Sequence, residues 1–362
     1  MSLKNNKRLK ETCDFGDTRL NKRLGKICDN FSKCLEASIP ENHLERSQMK
    51  AGYNFFKNKK VSVDKIISGH RDLHQENRKT MHKQVLLCAQ DKTELDFTGK
   101  KSAKKFGPLN HLHQKGCILQ NSLITSEKGI PVGMFKQSSI IRTVEGFSKR
   151  NNRGPGQPIE EKETYHWLTH YNELQDYFRD CPGIEVFCTN DREADIYELF
   201  AAKNTENVHL IVRSKHNRTL DESGKQRLHD KVKSSQVKHT CTIEITDRRT
   251  CKKRKTKVEL RYTDVTIKLG SPSKWQKKLP SIKLWAIEIR EINPPKGYKP
   301  VQWILLTTYP INSVADALRI NGYYVLRWVV ERFHYVLKSI RSKNKRLATA
   351  RTTENSQCHS GL

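Results

Sequence analysis

The stretch Tyr324-Val-Leu-Arg327-Trp-Val-Val-Glu331-Arg-Phe-His-Tyr-Val-Leu-Lys338 decides how the rest of the chain is read. On a helix of 3.6 residues per turn, Tyr324, Arg327, Glu331 and Lys338 fall within an arc of about 60°. Leu326, Val329, Val330, Phe333, Val336, Leu337 and Ile340 collect on the other side as a core-facing stripe. An ordinary amphipathic helix would also turn polar residues outward. The content of this face is narrower than that. One carboxylate flanked along the axis by a phenol, a guanidinium and an ammonium has the groups to hold a metal ion and to grip phosphate oxygens beside it.

The charge of the whole chain points the same way. Lys plus Arg number 68 against 39 Asp plus Glu in 362 residues, a formal net charge of +29. Self-repulsion of that excess opposes a compact state, so a polyanionic partner explains it better than folding does. Nucleic acid comes before a membrane surface, and the spread of charge along the chain fits a long groove rather than one tail. A chromatin-like or ribosomal binder would share this composition. Charge alone therefore does not choose an enzyme.

None of the ten cysteines forms a CxxC pair, which argues against a zinc ribbon and a secreted disulfide framework. His111 and His113 with Cys117 resemble a metal cluster, but strand alternation explains them equally well. The basic first ten residues have no apolar run behind them, as a signal peptide would require. No apolar stretch is long enough to span a bilayer. The expected location is the cytoplasm, in association with the nucleoid.

Taken in order, residues 17–36 place Leu20, Leu24, Ile27, Phe31 and Leu35 at helical spacing, with Arg19, Lys22, Arg23 and Lys26 between them. After a break at Ser38-Ile-Pro40, a second helix carries Leu44, Ala51, Tyr53 and Phe56, and Ser62 is placed to cap a third. Three short helices with a basic face describe a helical DNA-binding domain over 1–75, or a packing subdomain with a solvated basic face. Strands are expected at 85–97, 116–125, from Val132, at 184–189 and at 208–213, with helices at Tyr165–Phe178 and Ile196–Lys203. Residues 143–162 read as a mobile loop. That succession is an α/β layout with a mixed sheet. Strand-period alternation then returns at 237–247, 258–268, 282–292 and 301–308. Residues 214–309 are accordingly expected to form an all-β insertion, with a basic hairpin tip over 248–255.

Asp91 lies toward the end of the first strand and Asp191 at the end of the fourth, and ends of neighbouring parallel strands are where sheet-based sites form. Glu331, on a helix packed across the sheet, would complete a set of three. Such carboxylates repel unless a hard cation neutralises them, which suits Mg²⁺ or Mn²⁺. Asp96, Glu193 and Asp195 lie near enough that spacing alone does not separate them from the chosen pair.

Three motifs carry a family resemblance: Asn190-Asp-Arg-Glu-Ala-Asp-Ile-Tyr-Glu-Leu-Phe200, Gln90-Asp-Lys-Thr93 and Tyr-x₂-Arg-x₃-Glu-x₆-Lys at Tyr324 to Lys338. With Phe15-Gly-Asp17-x-Arg19-Leu-x-Lys-Arg23-Leu24 and Tyr53-x-Phe55-Phe56-x-Asn58, they resemble the DDE transposases of the IS4 superfamily, in particular its Tn5-like branch. The resemblance runs from about residue 14 to residue 340. It implies an α/β fold with an RNase H-like catalytic core interrupted by the β insertion, behind a small all-α DNA-binding domain. The domains would be 1–75, 76–213, 214–309, a glutamate helix over 310–341 and a tail over 342–362.

The resemblance further implies that Asp91, Asp191 and Glu331 are catalytic and bind two Mg²⁺ ions, for which Mn²⁺ substitutes. Tyr324, Arg327 and Lys338 would contact phosphates near the cleaved end, Trp303 would stack against a flipped base, and Arg213 would lie near the transposon end. Arg19 and Arg23 would contact DNA from the N-terminal domain. The implied chemistry is phosphodiester cleavage at transposon ends and attack of the freed 3′-hydroxyl on target DNA, by way of a hairpin in this branch. The partners implied are terminal-repeat and target DNA, a second copy of the chain as a homodimer, and no membrane.

After Ile340 the family pattern stops, and residues 348–362 show no apolar periodicity. A disordered tail on a truncated or frame-shifted element is the expectation. The alternative to an active transposase is therefore a transposition-defective DNA-binding remnant, or an inhibitor of a full-length enzyme.

Overall fold

The computed structural model describes residues 12–33, 45–78, 84–150, 158–181, 183–203, 205–221, 226–246, 253–269, 279–298 and 300–339. The Ser38–Pro40 break, most of the 248–255 tip and the 342–362 tail lie outside them. The chain divides into two compact units. One comprises Met1–His82, Val132–Gln137 and Val329–Leu362, and the other Lys83–Pro131 and Ser138–Trp328.

The first unit contains the three expected N-terminal helices, α1 (Thr18–Lys33), α2 (Arg46–Lys57) and α3 (Val63–Arg78). Asp17 starts α1: its carboxylate accepts the Arg19 N–H at 3.0 Å and its carbonyl accepts Leu20 N–H at 2.9 Å. Ser62 caps α3 as expected, its Oγ accepting Lys65 N–H at 3.2 Å. The core is Cys13, Phe15, Leu24, Ile27 and Phe55, with Leu20 and Phe31 packed against it. Phe15 and Phe55 meet edge to face with centroids 5.5 Å apart. On α2 the buried ring is thus Phe55, whereas Tyr53 and Phe56 are exposed. Consecutive residues lie about 100° apart on a helix, so burying Phe55 turns its neighbours outward.

In the second unit β1 (Gln84–Asp96), β2 (Gly107–Pro108) and β3 (Lys115–Ser126) are followed by β4 (Pro131–Ile140), α4 (Val144–Arg150) and α5 (Tyr165–Phe178). Then come β5 (Ile184–Asn190), α6 (Tyr197–Phe200), β6 (Val208–Arg213) and α7 (Leu228–Ser234). The remainder is β7 (His239–Thr246), β8 (Lys253–Ile267), β9 (Ile282–Glu291), β10 (Gln302–Thr307) and α8 (Val314–Val325). Nine strands of one sheet lie in the order β2-β3-β1-β5-β6-β10-β9-β8-β7. β3 runs antiparallel to β1, while β1, β5 and β6 are parallel. That β3-β1-β5-β6 arrangement, with helices on the sheet, is an RNase H-like core.

Several expectations change. The 237–308 strands do not form a separate sheet: β10 pairs β6 directly, Leu305 opposite Arg213, and carries the core sheet outward through β9, β8 and β7. Residues 214–309 are also not all β, since α7 buries Leu228 and Val232 there. The expected helix at 196–203 shrinks to Tyr197–Phe200. The expected loop at 143–162 begins with α4 and ends with a 3₁₀ turn at Ile159–Glu161. His111 and His113 lie in a turn before β3 rather than on a strand, their rings stacked 5.4 Å apart.

Alternation along the strands gives the sheet two apolar faces. Leu87, Phe187, Ile211, Leu305, Ile287 and Ile289 join one core with Ala317, Ile320, Tyr323 and Tyr324 of α8. The opposite face meets α5, where Trp167, Tyr171, Leu174 and Phe178 are buried. His170 of α5 is fixed between hydroxyls, Ser122 Oγ at Nδ1 and Ser138 Oγ at Nε2, each at 2.8 Å. α8 is held at its start by a reciprocal capping box between Ser313 and Asp316.

The Tyr324–Lys338 stretch is not one uninterrupted helix. α8 ends at Val325, Leu326 and Arg327 form a turn, and a second helical segment covers residues 328–339. Arg327 N–H bonds back to Tyr324 carbonyl at 3.1 Å, an i→i−3 tightening that ends α8. Tyr324 and Arg327, expected on the outer face, are consequently buried, and Val336, expected in the core, is exposed.

Candidate active site and nucleic-acid interface

The parallel register of β1 and β5 positions the candidate carboxylates. Leu86 to Ala89 lie opposite Val186 to Thr189, so Asp91 and Asp191 each come two residues after the Ala89–Thr189 rung. Both carboxylates thus stand just beyond the last β1–β5 rung, Asp91 within β1 and Asp191 directly after β5, each half-buried. Asp191 also opens the 3₁₀ turn Arg192–Ala194, its Oδ1 accepting Glu193 N–H at 2.9 Å.

Arg327 comes to the same place from the turn after α8. Its Nη1 lies 3.8 Å from Asp91 Oδ2, with the two side chains only 9% and 16% exposed. Its guanidinium carbon is 5.9 Å from the Tyr324 ring centroid. The structure therefore gathers Asp91, Tyr324 and Arg327 and sets Asp191 on the next strand. Glu331 and Lys338 share one side of the 328–339 segment, Glu331 half-buried and Lys338 exposed, and belong to the other compact unit. Among the described residues, no three His, Cys, Asp or Glu side chains form a ready metal cage. Asp91 and Asp191 are nonetheless a fitting pair of hard oxygen donors for a small divalent cation.

The nearby acids separate on the roles they already hold. Asp195 is buried and accepts Lys215 N–H at 2.6 Å and His216 N–H at 2.8 Å, besides the Arg218 guanidinium. It fixes the chain after β6. Asp96 is exposed at the end of β1 and accepts Thr98 N–H at 2.7 Å. Glu193 is exposed.

One neighbour escaped the sequence reading. Lys92 follows Asp91 and so points to the opposite face of β1, where its Nζ sits 5.5 Å from the Trp167 ring centroid. It donates to the Glu163 carbonyl at 3.4 Å. Burial pulls its ammonium below the usual lysine range, opposed by the carboxylates of Glu193, Glu163 and Asp191. Glu163 is itself gripped by Arg142 through two bonds of 2.6 and 2.9 Å.

Trp303 packs half-buried against the α8 core, its indole N–H donated to Asn321 Oδ1 at 2.9 Å. Arg213, at the end of β6, donates to the Gln302 carbonyl at 3.3 Å.

In the N-terminal unit Arg19 is exposed and paired with Asp17 at 3.2 Å, while Arg23 is drawn to Gln48 Oε1 at 2.6 Å. The outward side of α1 carries Arg19, Lys22, Lys26 and Lys33 within an arc of about 60°. α2 holds a second strip that the sequence reading passed over: Arg46, Lys50, Tyr53 and Lys57, all exposed, also lie within about 60°. The spacing is visible in the sequence.

Residues 7–61 match a family model described as "Transposase DNA-binding". That segment is similar to a transposase DNA-binding domain. The match covers α1 and α2 with both basic strips. Among solved structures, the chain is similar to a piggyBac transposase in a synaptic complex with hairpin DNA, at 12% identity and a TM-score of 0.35. The alignment covers 86% of this chain and 57% of that one, so this chain spans little more than half the length of that transposase. A likeness that distant carries no argument here. No helix among the described residues is long and apolar enough to cross a membrane.

Proposed function

We propose that the chain is a cut-and-paste DNA transposase of the IS4 superfamily, Tn5-like branch, acting on transposon ends and target DNA. The observation that carries this reading is the placement of Asp91 and Asp191 two residues past the last rung between the parallel strands β1 and β5, with Arg327 against Asp91. A basic N-terminal domain that matches a transposase DNA-binding family supplies the grip on duplex DNA.

In this reading Asp91, Asp191 and Glu331 hold Mg²⁺, or Mn²⁺ in its place. The bound ions would activate a water or a 3′-hydroxyl and stabilise the leaving oxygen. Arg327 and Tyr324 orient the scissile phosphate from beside Asp91, and Lys338 binds a neighbouring one by charge. Trp303 offers its ring face to an extruded base, its plane fixed by Asn321, which would serve a hairpin route. A second copy of the chain completes the assembly, and the three domains after the helical one act together as its catalytic part.

The experiment is cleavage of DNA carrying the terminal repeats that flank the gene, with Mg²⁺ or Mn²⁺, while oligomeric state is followed in parallel. Nicking by the wild type and its loss in Asp191→Asn and Glu331→Gln are expected. Cleavage that survives Glu331→Gln would remove that residue from the site.

A further inference from the structure

β3 is buried along almost its whole length, and three consecutive polar residues stand in its middle. Gln120, Asn121 and Ser122 are each 0% exposed. A polar side chain buried in this way costs free energy unless it is hydrogen-bonded. Ser122 has its use, since its Oγ lies 2.8 Å from Nδ1 of His170 on α5. Gln120, two residues away, points to that same side of the sheet. Both polar atoms of its carboxamide are buried with no hydrogen-bond partner among the described residues. Asn121 stands between these two and faces the other way.

The antiparallel register gives Asn121 its neighbour. It is the cross-strand partner of Asp91, so the two side chains project from one face of the sheet with Cβ atoms about 5 Å apart. On that face Asn121 is flanked along β3 by Leu119, opposite Thr93, and Leu123, opposite Ala89. Of the three β3 side chains beside Asp91, Asn121 alone has a hydrogen-bonding group. The face is the one that α8 covers: Leu87, four residues before Asp91, joins the α8 core, and Arg327 reaches Asp91 there. At 3.8 Å from Asp91 Oδ2, Arg327 Nη1 supplies charge but is too far for a hydrogen bond.

We propose that Asn121 is a positioning residue for Asp91. Its carboxamide NH₂ donates to one carboxylate oxygen and fixes the rotamer in which the other is offered to the cation. An amide donates without carrying a charge, so it neither repels the carboxylate nor competes with a cation for it. The proposal rests on the reading of Asp91 as a metal ligand and adds to that site a residue of β3.

The test measures Mn²⁺ binding by the full chain in complex with the flanking terminal-repeat duplex, from the electron paramagnetic resonance signal of the free ion. Metal-free melting temperatures check folding, and Asp91→Asn is the reference for a lost ligand. Asn121→Leu, close in volume but unable to donate, and Asn121→Ala are each expected to weaken Mn²⁺ binding about tenfold at unchanged duplex affinity. Asn121→Ser, which keeps a hydroxyl donor, should recover part of that loss. Gln120→Leu changes the adjoining buried amide on the opposite face and should leave Mn²⁺ binding as in the wild type. If the leucine variant does not fold, the alanine and serine variants carry the comparison. Unchanged Mn²⁺ affinity in Asn121→Ala, beside a loss in Asp91→Asn, overturns the positioning role and leaves Asp91 in the site. A serine variant no tighter than the alanine one, or an equal loss in Gln120→Leu, overturns it by tracing the effect to β3 packing. Equal binding by the wild type and Asp91→Asn overturns both readings.

Discussion

The guanidinium of Arg327 approaches the carboxylate of Asp91 to 3.8 Å, although 236 residues separate them in the chain. The contact ties the turn after α8 to β1, just past the last β1–β5 rung, where Asp191 follows β5.

Replacing Asp91 by Ala leaves the buried Arg327 charge with less compensation. The metal-free chain should lose on the order of 1–3 kcal/mol, read from denaturant unfolding. Arg327→Met should lose less, and the double variant less than the sum, since the two changes remove one shared interaction.

Acid should weaken the sheet through Glu291. The bonds from Arg254, with the Val301 N–H and Thr256 adding to them, hold its carboxyl down at about 2. A depressed folded-state pKa gives stability that is present above the unfolded carboxylate range near 4.5 and is lost as pH falls toward 2. Its full worth is on the order of 3 kcal/mol. Glu291→Gln should flatten the melting-temperature curve in that window and lower it at neutral pH.

His209 adds a second acid response. Burial, and then the Arg319 charge, push its imidazole down to about 4. The unfolded chain therefore takes up that proton first, and stability falls as pH drops from about 6.5 to about 4. His209→Asn should remove this part of the slope while leaving the Glu291 part.

Gly69 is required where α3 meets the N-terminal segment. A Cβ there would come 2.1 Å from Cys13 Sγ and 3.1 Å from Cys13 Cα. Gly69→Ala should cost about 1–3 kcal/mol by thermal unfolding. Cys13→Ala in the same chain should recover only part, because the backbone contact persists.

The α2 strip predicts a graded loss of DNA binding. Lys50→Ala and Lys57→Ala should each weaken duplex binding across sequences and reduce the salt slope by about 1. Tyr53→Ala, lacking a charge, should weaken binding with the slope retained. Competition anisotropy in two salts distinguishes the cases.

Much of this architecture was legible because strands announce themselves by local pattern. The apolar run at Val85–Cys88 and the alternation at 282–292 both became strands within a residue or two of their expected ends. What alternation does not carry is partner choice: nothing local to Trp303-Ile-Leu-Leu306 says that β10 pairs β6 and so makes the insertion part of the core sheet. The helix break at Leu326–Arg327 was hidden for a related reason. Its residues are good helix formers, so the 3.6 period ran on through a turn that tertiary packing imposes. Asp91 and Asp191 were legible as strand-end acids, but only the contacts of Asp195 with Lys215 and His216 show why that acid is spent elsewhere.

The central claim is that Asp91 and Asp191 act together in cutting DNA. It is tested most directly by single-turnover nicking of a duplex carrying the flanking terminal repeats, with Mn²⁺ or Mg²⁺, comparing wild type with Asp91→Asn and Asp191→Asn. Metal-dependent nicking by the wild type, with at least a hundredfold loss (about 2.7 kcal/mol of transition-state stabilisation) in each variant at unchanged duplex affinity, is the predicted result. Equal nicking by all three proteins, or nicking that ignores the metal, would contradict it.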